Sequence, residues 1–402
     1  MAALFPDAAT RALVEGEQPR LPLSYVEGSL NAPSGWDRAP MAPCRPTGHP
    51  GGNRRRRGAE SRGHHVDEAP TRPTENAVTP DPISQLAQGF MASKHLFAAS
   101  ELGLFEALGE GPADLAGLAA RTGLTPRTAR ISADAMVALG LLERDGDRYA
   151  NTPVAAAFLS GATPADFRPL LKFWDKLSYP AWTDLAGALG RGRPAQEIFE
   201  IDDELVPIMS AGIEAATAGA CRALPGVAGL PPASRVLDVG GGTGSWSIAL
   251  VEADPSLTAT VFELPEVAAV AEKRLRASGY STRVDVLAGE LLTGDVPRGY
   301  SAFLMANLVH YFLPETNQAI LRKIRRAAEP GAHLLIADFW TDPTHTQPLP
   351  AALMAGEFAK HVNEGDVYSV EEGVSWLGGT GWQFTGHLPL AGPISLVTAE
   401  AV

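Results

Sequence analysis

Cysteine is nearly absent: Cys44 and Cys221 are the two thiols in 402 residues, which excludes a disulfide framework and a multi-cysteine zinc site. Long apolar runs are missing too. No stretch reaches the roughly 18 to 20 residues, free of charges and helix breakers, that a spanning helix needs, and the first residues lack a basic region followed by an apolar one. A protein of the reducing cytoplasm, neither exported nor membrane-embedded, is therefore expected. Basic charge is scarce relative to acidic, with 33 Lys and Arg against 46 Asp and Glu and a formal net charge of -13. Binding a phosphate backbone needs clustered cations, so nucleic acid is a poor partner. Apolar residues are plentiful, and 45% of the chain is enough for two ordinary domains with real cores.

Residues 1–80 are dense in Pro, Gly, Arg and Ala, and they carry the run Arg54-Arg55-Arg56-Arg57 without a sustained period of 2 or 3.6. A disordered extension is expected there, with the arginines as a solvated linker. From Asp81 the texture changes. Ile83, Leu86, Phe90, Leu96, Phe97, Leu102, Leu104 and Phe105 follow an amphipathic helical spacing, with Pro82 near its start. Shorter helices are predicted from Pro112 to Arg121 and from Pro126 to Leu139, and Leu141 to Tyr149 reads as a hairpin around Asp145-Gly146. Three helices and a wing over 81–160 make a winged-helix pattern. The helix that would read DNA offers only Arg127 and Arg130 before Asp134, which favours a packing or dimerisation module over a DNA-binding regulator with a ligand-sensing domain. Residues 161–230 read as a helical linker carrying Phe173, Trp174, Trp182, Phe199 and Met209, side chains that suit a pocket floor or plain core.

After Pro231-Pro232 strands and helices alternate. Strands are predicted at Arg235–Val239, Thr258–Phe262, Arg283–Leu287, Ala302–Ala306 and His333–Asp338, with helices such as Val267–Ala277 and Thr316–Ala328 between them. This is an α/β, doubly wound, Rossmann-like sheet over 231–402. Trp382–Leu390 and Ile394–Ala399, joined by Ala391-Gly392-Pro393, add an antiparallel pair at one edge.

The first of these strands runs into Asp238-Val239-Gly240-Gly241-Gly242-Thr243-Gly244 and then a helix. Glycine is needed where backbone approaches a ligand closely, so Gly240, Gly242 and Gly244 are cofactor-loop candidates. Such a loop alone is shared with dinucleotide enzymes. Two acids redirect it. Asp238 would repel a pyrophosphate but favour the ammonium and sulfonium of S-adenosylmethionine. Glu263, 19 positions after Gly244, closes the second strand, where it can accept from ribose hydroxyls. Gly289-Glu290-Leu291 follows the third strand, where adenine is expected, with Glu290 as acceptor for its exocyclic amine. Standing alone, Asp238 could be a cap and Glu263 or Glu290 a solvent-facing acid.

At these residues the chain resembles the plant-type and bacterial small-molecule O-methyltransferases. The resemblance rests on Leu237-Asp238-Val239-Gly240-Gly241-Gly242-Thr243-Gly244, Phe262-Glu263-Leu264-Pro265-Glu266-Val267 and Asn307-Leu308-Val309-His310-Tyr311, and its order and spacing span residues 83–402. It implies a winged-helix dimerisation domain joined to a class I methyltransferase fold. It also implies a homodimer whose N-terminal helices help close the partner's pocket, and it puts Leu264 and Asn307 in the cofactor site.

Methyl transfer is an in-line displacement that requires an aligned acceptor and a base for its proton. His310 lies just past the fourth strand, where such a base belongs. The resemblance makes it the general base and places an orienting acid 28 residues later, at Asp338 (338 minus 310), with Asp in place of the commoner Glu. A free phenol and a free imidazole differ by about 3.5 pKa units, so the proton is expected to leave as the methyl arrives. One departure stands out: Val367, in Gly365-Asp366-Val367-Tyr368-Ser369, occupies the position of the family's second orienting Glu. A rival reading makes His310 and His361 ligands of a metal in an α-keto acid C-methyltransferase, with Asp338 and Asp366 as oxygen donors. Taken alone, His361 reads as a surface histidine. Phe173, Trp174, Met209, Met354 and Phe358 are the candidates for a planar, largely apolar acceptor pocket.

Overall fold

The computed structural model describes residues 78–197, 202 and 204–402. The expected extension, with its arginine run and Cys44, and Phe199 lie outside the described residues. Residues 90–402 belong to one unit, and residues 81–89 form the opening turns of the first helix.

That helix, α1 (Asp81–Glu101), is shorter than the spacing predicts. Gly103 adopts φ 70°, which no right-handed helix accommodates, and the chain restarts as α2 (Leu104–Gly109) carrying Phe105. The short strand β1 (Ala113–Asp114) leads into α3 (Leu115–Thr122), whose first turn is capped by Asp114 Oδ1 accepting from Gly117 N at 2.7 Å. Pro126 opens α4 (Pro126–Ala138) behind the Thr125 cap. β2 (Leu142–Asp145) and β3 (Arg148–Asn151) form the hairpin. Asp145 pairs with Arg148, so the two loop residues are Gly146, at φ 59°, and Asp147, one place later than Asp145-Gly146. β3 is central in a three-stranded sheet of order β1-β3-β2. Leu104, Phe105, Leu118, Met136 and Tyr149 fill the core beneath it. The Tyr149 hydroxyl donates to Asp134 Oδ1 at 2.7 Å, and Asp134 also pairs with Arg130 at 3.0 Å, so that arginine is already engaged on its own helix.

Short helices follow: α5 (Pro153–Phe158), α6 (Arg168–Phe173), a π-helical turn (Trp174–Ser178), α7 (Tyr179–Trp182) and α8 (Leu185–Arg191). The long α9 (Val206–Val227) connects two cores. Val206 and Met209 pack with Phe173, whereas Ala220, Cys221 and Leu224 pack beneath the large sheet. At Gly212 a Cβ would stand 2.2 Å from Phe173 Cβ, so only glycine lets α9 approach this closely.

The large sheet contains β4 (Arg235–Val239), β5 (Thr258–Glu263), β6 (Val284–Ala288), β7 (Ala302–Ala306), β8 (His333–Asp338), β9 (Trp382–Pro389) and β10 (Ser395–Ala401). Between them run α10 (Ser245–Ala253), α11 (Pro265–Ser278), α12 (Pro314–Ala327), α13 (Leu349–Ala359) and α14 (Val370–Gly378). The order is β6-β5-β4-β7-β8-β10-β9, parallel from β6 to β8. Strands such as β7 are buried throughout, which is why they read as unbroken apolar runs rather than alternating ones. The antiparallel pair sits at the edge as expected, but the last strand inserts between β8 and β9. Crossovers leave β4 in opposite directions from those leaving β7, so a crevice opens at their carboxyl ends, where ligands bind in such sheets. Among the described residues no helix is long and apolar enough to cross a membrane.

Candidate active site

The glycine loop occupies that crevice. Gly240, Gly242 and Gly244 have φ of 67°, 56° and 86°. A Cβ on Gly240 would stand 3.0 Å from Leu308 Cδ1, and one on Gly241 would stand 2.5 Å from the Asp238 carboxyl carbon. Asp238 therefore fills the space directly under the loop. It is fully buried, and its Oδ2 accepts from Ser247 Oγ at 2.7 Å. Burial pushes its carboxyl up to about 7, against the pull of the Ser247 hydrogen bond. Among the described residues its Oδ1 has no hydrogen-bond partner, and neither has Asn307 Oδ1 just past the end of β7. Asn307 itself adopts φ 52°. Two unpaired buried acceptors on either side of the crossover are suited to donors from a cationic ligand.

Glu263 closes β5 and braces the loop from the side. Its Oε2 accepts from Gly242 N at 3.1 Å and its Oε1 from Leu264 N at 2.8 Å. Burial raises this carboxyl despite the two amides. Beyond β6, Gly289 lies against Phe262, whose ring would be 2.1 Å from an added Cβ. Glu290 Oε1 turns back to Leu292 N at 3.0 Å, and Leu291 packs partly buried on the sheet core. The turn beyond β6 thus keeps its shape through its own hydrogen bonds.

His310 and Asp338 meet at the ends of β7 and β8. His310 Nδ1 lies 2.7 Å from Asp338 Oδ1, and both side chains are almost wholly buried. Three backbone amides also donate to this carboxylate: Phe339 N to Oδ1 at 2.8 Å, and Leu308 N and Val309 N to Oδ2 at 3.0 Å each. Among the described residues Nε2 of His310 carries no hydrogen bond. The imidazole stacks on Phe358 at 4.1 Å with 16° between planes, and Tyr311 and Phe339 enclose it further. Asp366 N donates to His310 O at 3.1 Å, which pins the backbone as well.

Phe173, Met209 and Phe358 share one apolar cluster with Leu177, Val362 and Val367, and Met354 packs on it partly buried. Trp174 stands apart and is more than a third exposed. Val367 supplies no carboxylate, so among the described residues Asp338 is the side chain that hydrogen-bonds His310, and the rings of Phe358, Tyr311 and Phe339 pack around it.

His361 is not on the surface; it is buried in a polar knot on α13 and the residues just after it. Its Nε2 lies 3.2 Å from Glu357 Oε1 and contacts Lys360 Nζ, while Glu357 Oε2 accepts from Ser178 Oγ at 2.9 Å and from Trp182 Nε1 at 2.6 Å. The surface reading failed because the knot closes onto Ser178 and Trp182, some 180 residues away, which no local pattern reveals. The i, i+3, i+4 spacing of Glu357, Lys360 and His361 was its only sequence signal. Asp366 is exposed and bonds its own neighbour, Val367 N, at 2.7 Å. Among the described residues no three His, Cys, Asp or Glu side chains are grouped to hold a metal ion.

A model of the O-methyltransferase domain matches residues 192–383, and one of the O-methyltransferase dimerisation domain matches residues 84–161. The chain is similar to the tetracenomycin polyketide synthesis 8-O-methyl transferase of Streptomyces glaucescens, at 31% identity over 79% of this chain and 95% of that one. It is 32% identical to the 3-hydroxy-5-methyl-1-naphthoate 3-O-methyltransferase of Streptomyces sahachiroi, over 69% of this chain and 82% of the other. The solved S-adenosylmethionine-dependent methyltransferase SibL, in its apo form, superposes with a TM-score of 0.71 at 29% identity, covering 80% of this chain and 99% of its own.

The polar knot makes acid sensitivity predictable. Burial alone would raise Glu357, but the His361 imidazole 3.2 Å away, the charge of Lys360 and the Trp182 indole outweigh it and hold Glu357 at about 2. Lys360, buried with one carboxylate for compensation, is pushed down to about 8. A folded pKa of about 2 against an ordinary 4.5 stabilises the fold by about 3 kcal/mol above pH 4.5, a contribution lost as pH falls toward 2. Urea denaturation of wild type and Glu357→Gln should differ by about that amount at pH 7, and the gap should narrow by pH 3. An equal gap at both values would contradict the assignment.

Proposed function

Because this chain belongs to the family of S-adenosylmethionine-dependent small-molecule O-methyltransferases, we propose that it methylates a phenolic hydroxyl of an aromatic secondary metabolite, with His310 as general base. The observation that carries this reading is the division of the imidazole. Nδ1 is held 2.7 Å from Asp338, and Nε2 is left without a hydrogen-bond partner among the described residues. A carboxylate fixed by three backbone amides accepts, so the ring proton sits on Nδ1 and the lone pair on Nε2. Phe358 backs the imidazole by stacking on it, and the aromatic enclosure suits a planar acceptor at the Nε2 edge of His310, against the wall of Phe173, Met209 and Met354. The hydroxynaphthoate in one relative's name supports an acceptor of that class.

The cofactor, S-adenosylmethionine, supplies a methyl group activated by its sulfonium charge. Asp238, Gly240, Gly242, Gly244, Glu263, Leu264, Gly289, Glu290, Leu291 and Asn307 are the residues assigned to hold it. Asp338 fixes the imidazole so that His310 Nε2 takes the phenolic proton as the oxygen–methyl bond forms. The apolar wall excludes water from the reacting oxygen. A cytoplasmic setting belongs to the same proposal.

A homodimer is proposed as well. Ile83, Leu86, Phe90 and Met91 are exposed along α1 at helical spacing, within the segment matched by the dimerisation model.

His310→Ala should remove turnover of a phenol panel, which includes a hydroxynaphthoate, by three orders of magnitude or so while calorimetry finds S-adenosylhomocysteine binding unchanged. EDTA should leave wild-type turnover intact. Persistent turnover in His310→Ala would sink the base assignment. Loss of activity in EDTA, with transfer to α-keto acids instead, would restore the metal-dependent reading.

Asp238, with its carboxyl raised to about 7, must lose its proton to favour a cationic ligand. Cofactor affinity should therefore be level above pH 7 and weaken by up to about ten-fold per unit below it. Asp238→Asn should bind weakly at every pH; a matching slope in that variant would assign the titration elsewhere. Phe90→Asp should convert the dimer to a monomer in sedimentation velocity, and an unchanged sedimentation coefficient would move the interface off α1.

A further inference from the structure

A second network grips the glycine loop from outside, through residues with no part in the chemistry above. Arg274 on α11 forks its guanidinium: Nη1 donates to Thr243 Oγ1 and Nη2 to Glu214 Oε1. The same Glu214 oxygen accepts from Ser245 Oγ at 3.3 Å. Thr243 and Ser245 flank Gly244, the residue at φ 86° where the loop becomes α10. Both side chains next to the loop's last glycine are thus tied to one ion pair.

The location of Glu214 gives the pair its consequence. It projects from α9, five residues past Met209 of the apolar wall and six before Ala220 of the core beneath the sheet. Gly212, two residues back, is where α9 presses on Phe173. One helix therefore meets the acceptor wall at one end and the cofactor loop in its middle. Arg274 and Glu214 retain side-chain exposures of 18% and 23%. For a part-buried pair the cost of taking both charges out of water offsets most of their attraction, so the effect of the pair is expected in the geometry of the loop.

We propose that Arg274 and Glu214 are positioning residues that hold the glycine loop in its cofactor-binding shape and join it to the helix lining the acceptor pocket. This rests on the glycine loop as the cofactor's seat. The fork explains why arginine is required: a lysine ammonium presents donors from a single point and cannot span the Thr243 hydroxyl and the Glu214 carboxylate in one plane. Without the fork, Thr243 and Ser245 lose their common anchor, and binding must then order the loop at its own cost.

Titration calorimetry with S-adenosylhomocysteine on the full chain tests this. Arg274→Met is expected to weaken binding about ten-fold, with the unfolding midpoint of the free protein within about 2 °C of wild type. Arg274→Lys, which keeps the charge but not the fork, should fall between the two. Glu214→Gln should weaken binding, and Glu214→Gln/Arg274→Met should be no worse than the poorer single variant, since both break one unit. Wild-type affinity in Arg274→Met overturns the proposal. A fall in midpoint of many degrees that Arg274→Lys does not repair also overturns it, because the pair would then be a general brace. If the wild type itself fails to bind S-adenosylhomocysteine, the loop reading falls first.

Discussion

Asp338 ends β8 with both carboxylate oxygens occupied, by His310 and Phe339 N on one and by Leu308 N and Val309 N on the other. The amides of Leu308 and Val309 belong to the turn leaving β7, which begins at Asn307 in a left-handed conformation. Such a turn exposes N–H groups that a buried position must satisfy, and a single carboxylate satisfies two of them. The contacts that shape the turn also aim the imidazole. Removing this acid would therefore disturb the backbone and the ring together.

The cofactor side is built by a different rule. A loop that must expose its backbone to a ligand cannot be packed from above, so it is supported from beneath by Asp238 and laterally by Glu263. Both acids lie in surroundings that raise their pKa. The site thereby stores unfavourable negative charge that a cationic ligand relieves, consistent with the preference for a sulfonium over a pyrophosphate. Glycine is required at Gly241 because Asp238 fills the volume that a side chain would take.

Much of this was legible in the sequence where the physics is local. Strands β4, β5 and β7 are buried on both faces and read as apolar runs, and the motifs at Gly240, Glu263 and His310 fall at strand ends, where parallel sheets place their sites. The break at Gly103 was hidden because apolar spacing continues across it, and a period cannot register one backbone angle. The sequence showed that Val367 is not a Glu but not what replaces it. The structure answers with three amides on Asp338 and an apolar wall containing Val367. His361 was misread for the opposite reason, since what decides its surroundings lies on a helical segment far away in the chain.

These distant contacts share a pattern. The acceptor wall needs an apolar face, which by itself offers no directional hold, so the helices that carry it must be registered by polar contacts on adjacent faces. On α13, Phe358 lies flat against His310 while neighbouring Glu357 is fixed by Ser178 and Trp182. On α9, Met209 and Gly212 meet the wall while Glu214 is fixed by Arg274. Apolar packing tolerates small slips of one helix along another, whereas a charged hydrogen bond is directional and weakens steeply once its angle is bent. Methyl transfer in line needs that tolerance, since the base, the acceptor oxygen and the donor sulfur must align together. Buried and half-buried charges beside an apolar pocket are thus what allow the pocket itself to remain apolar.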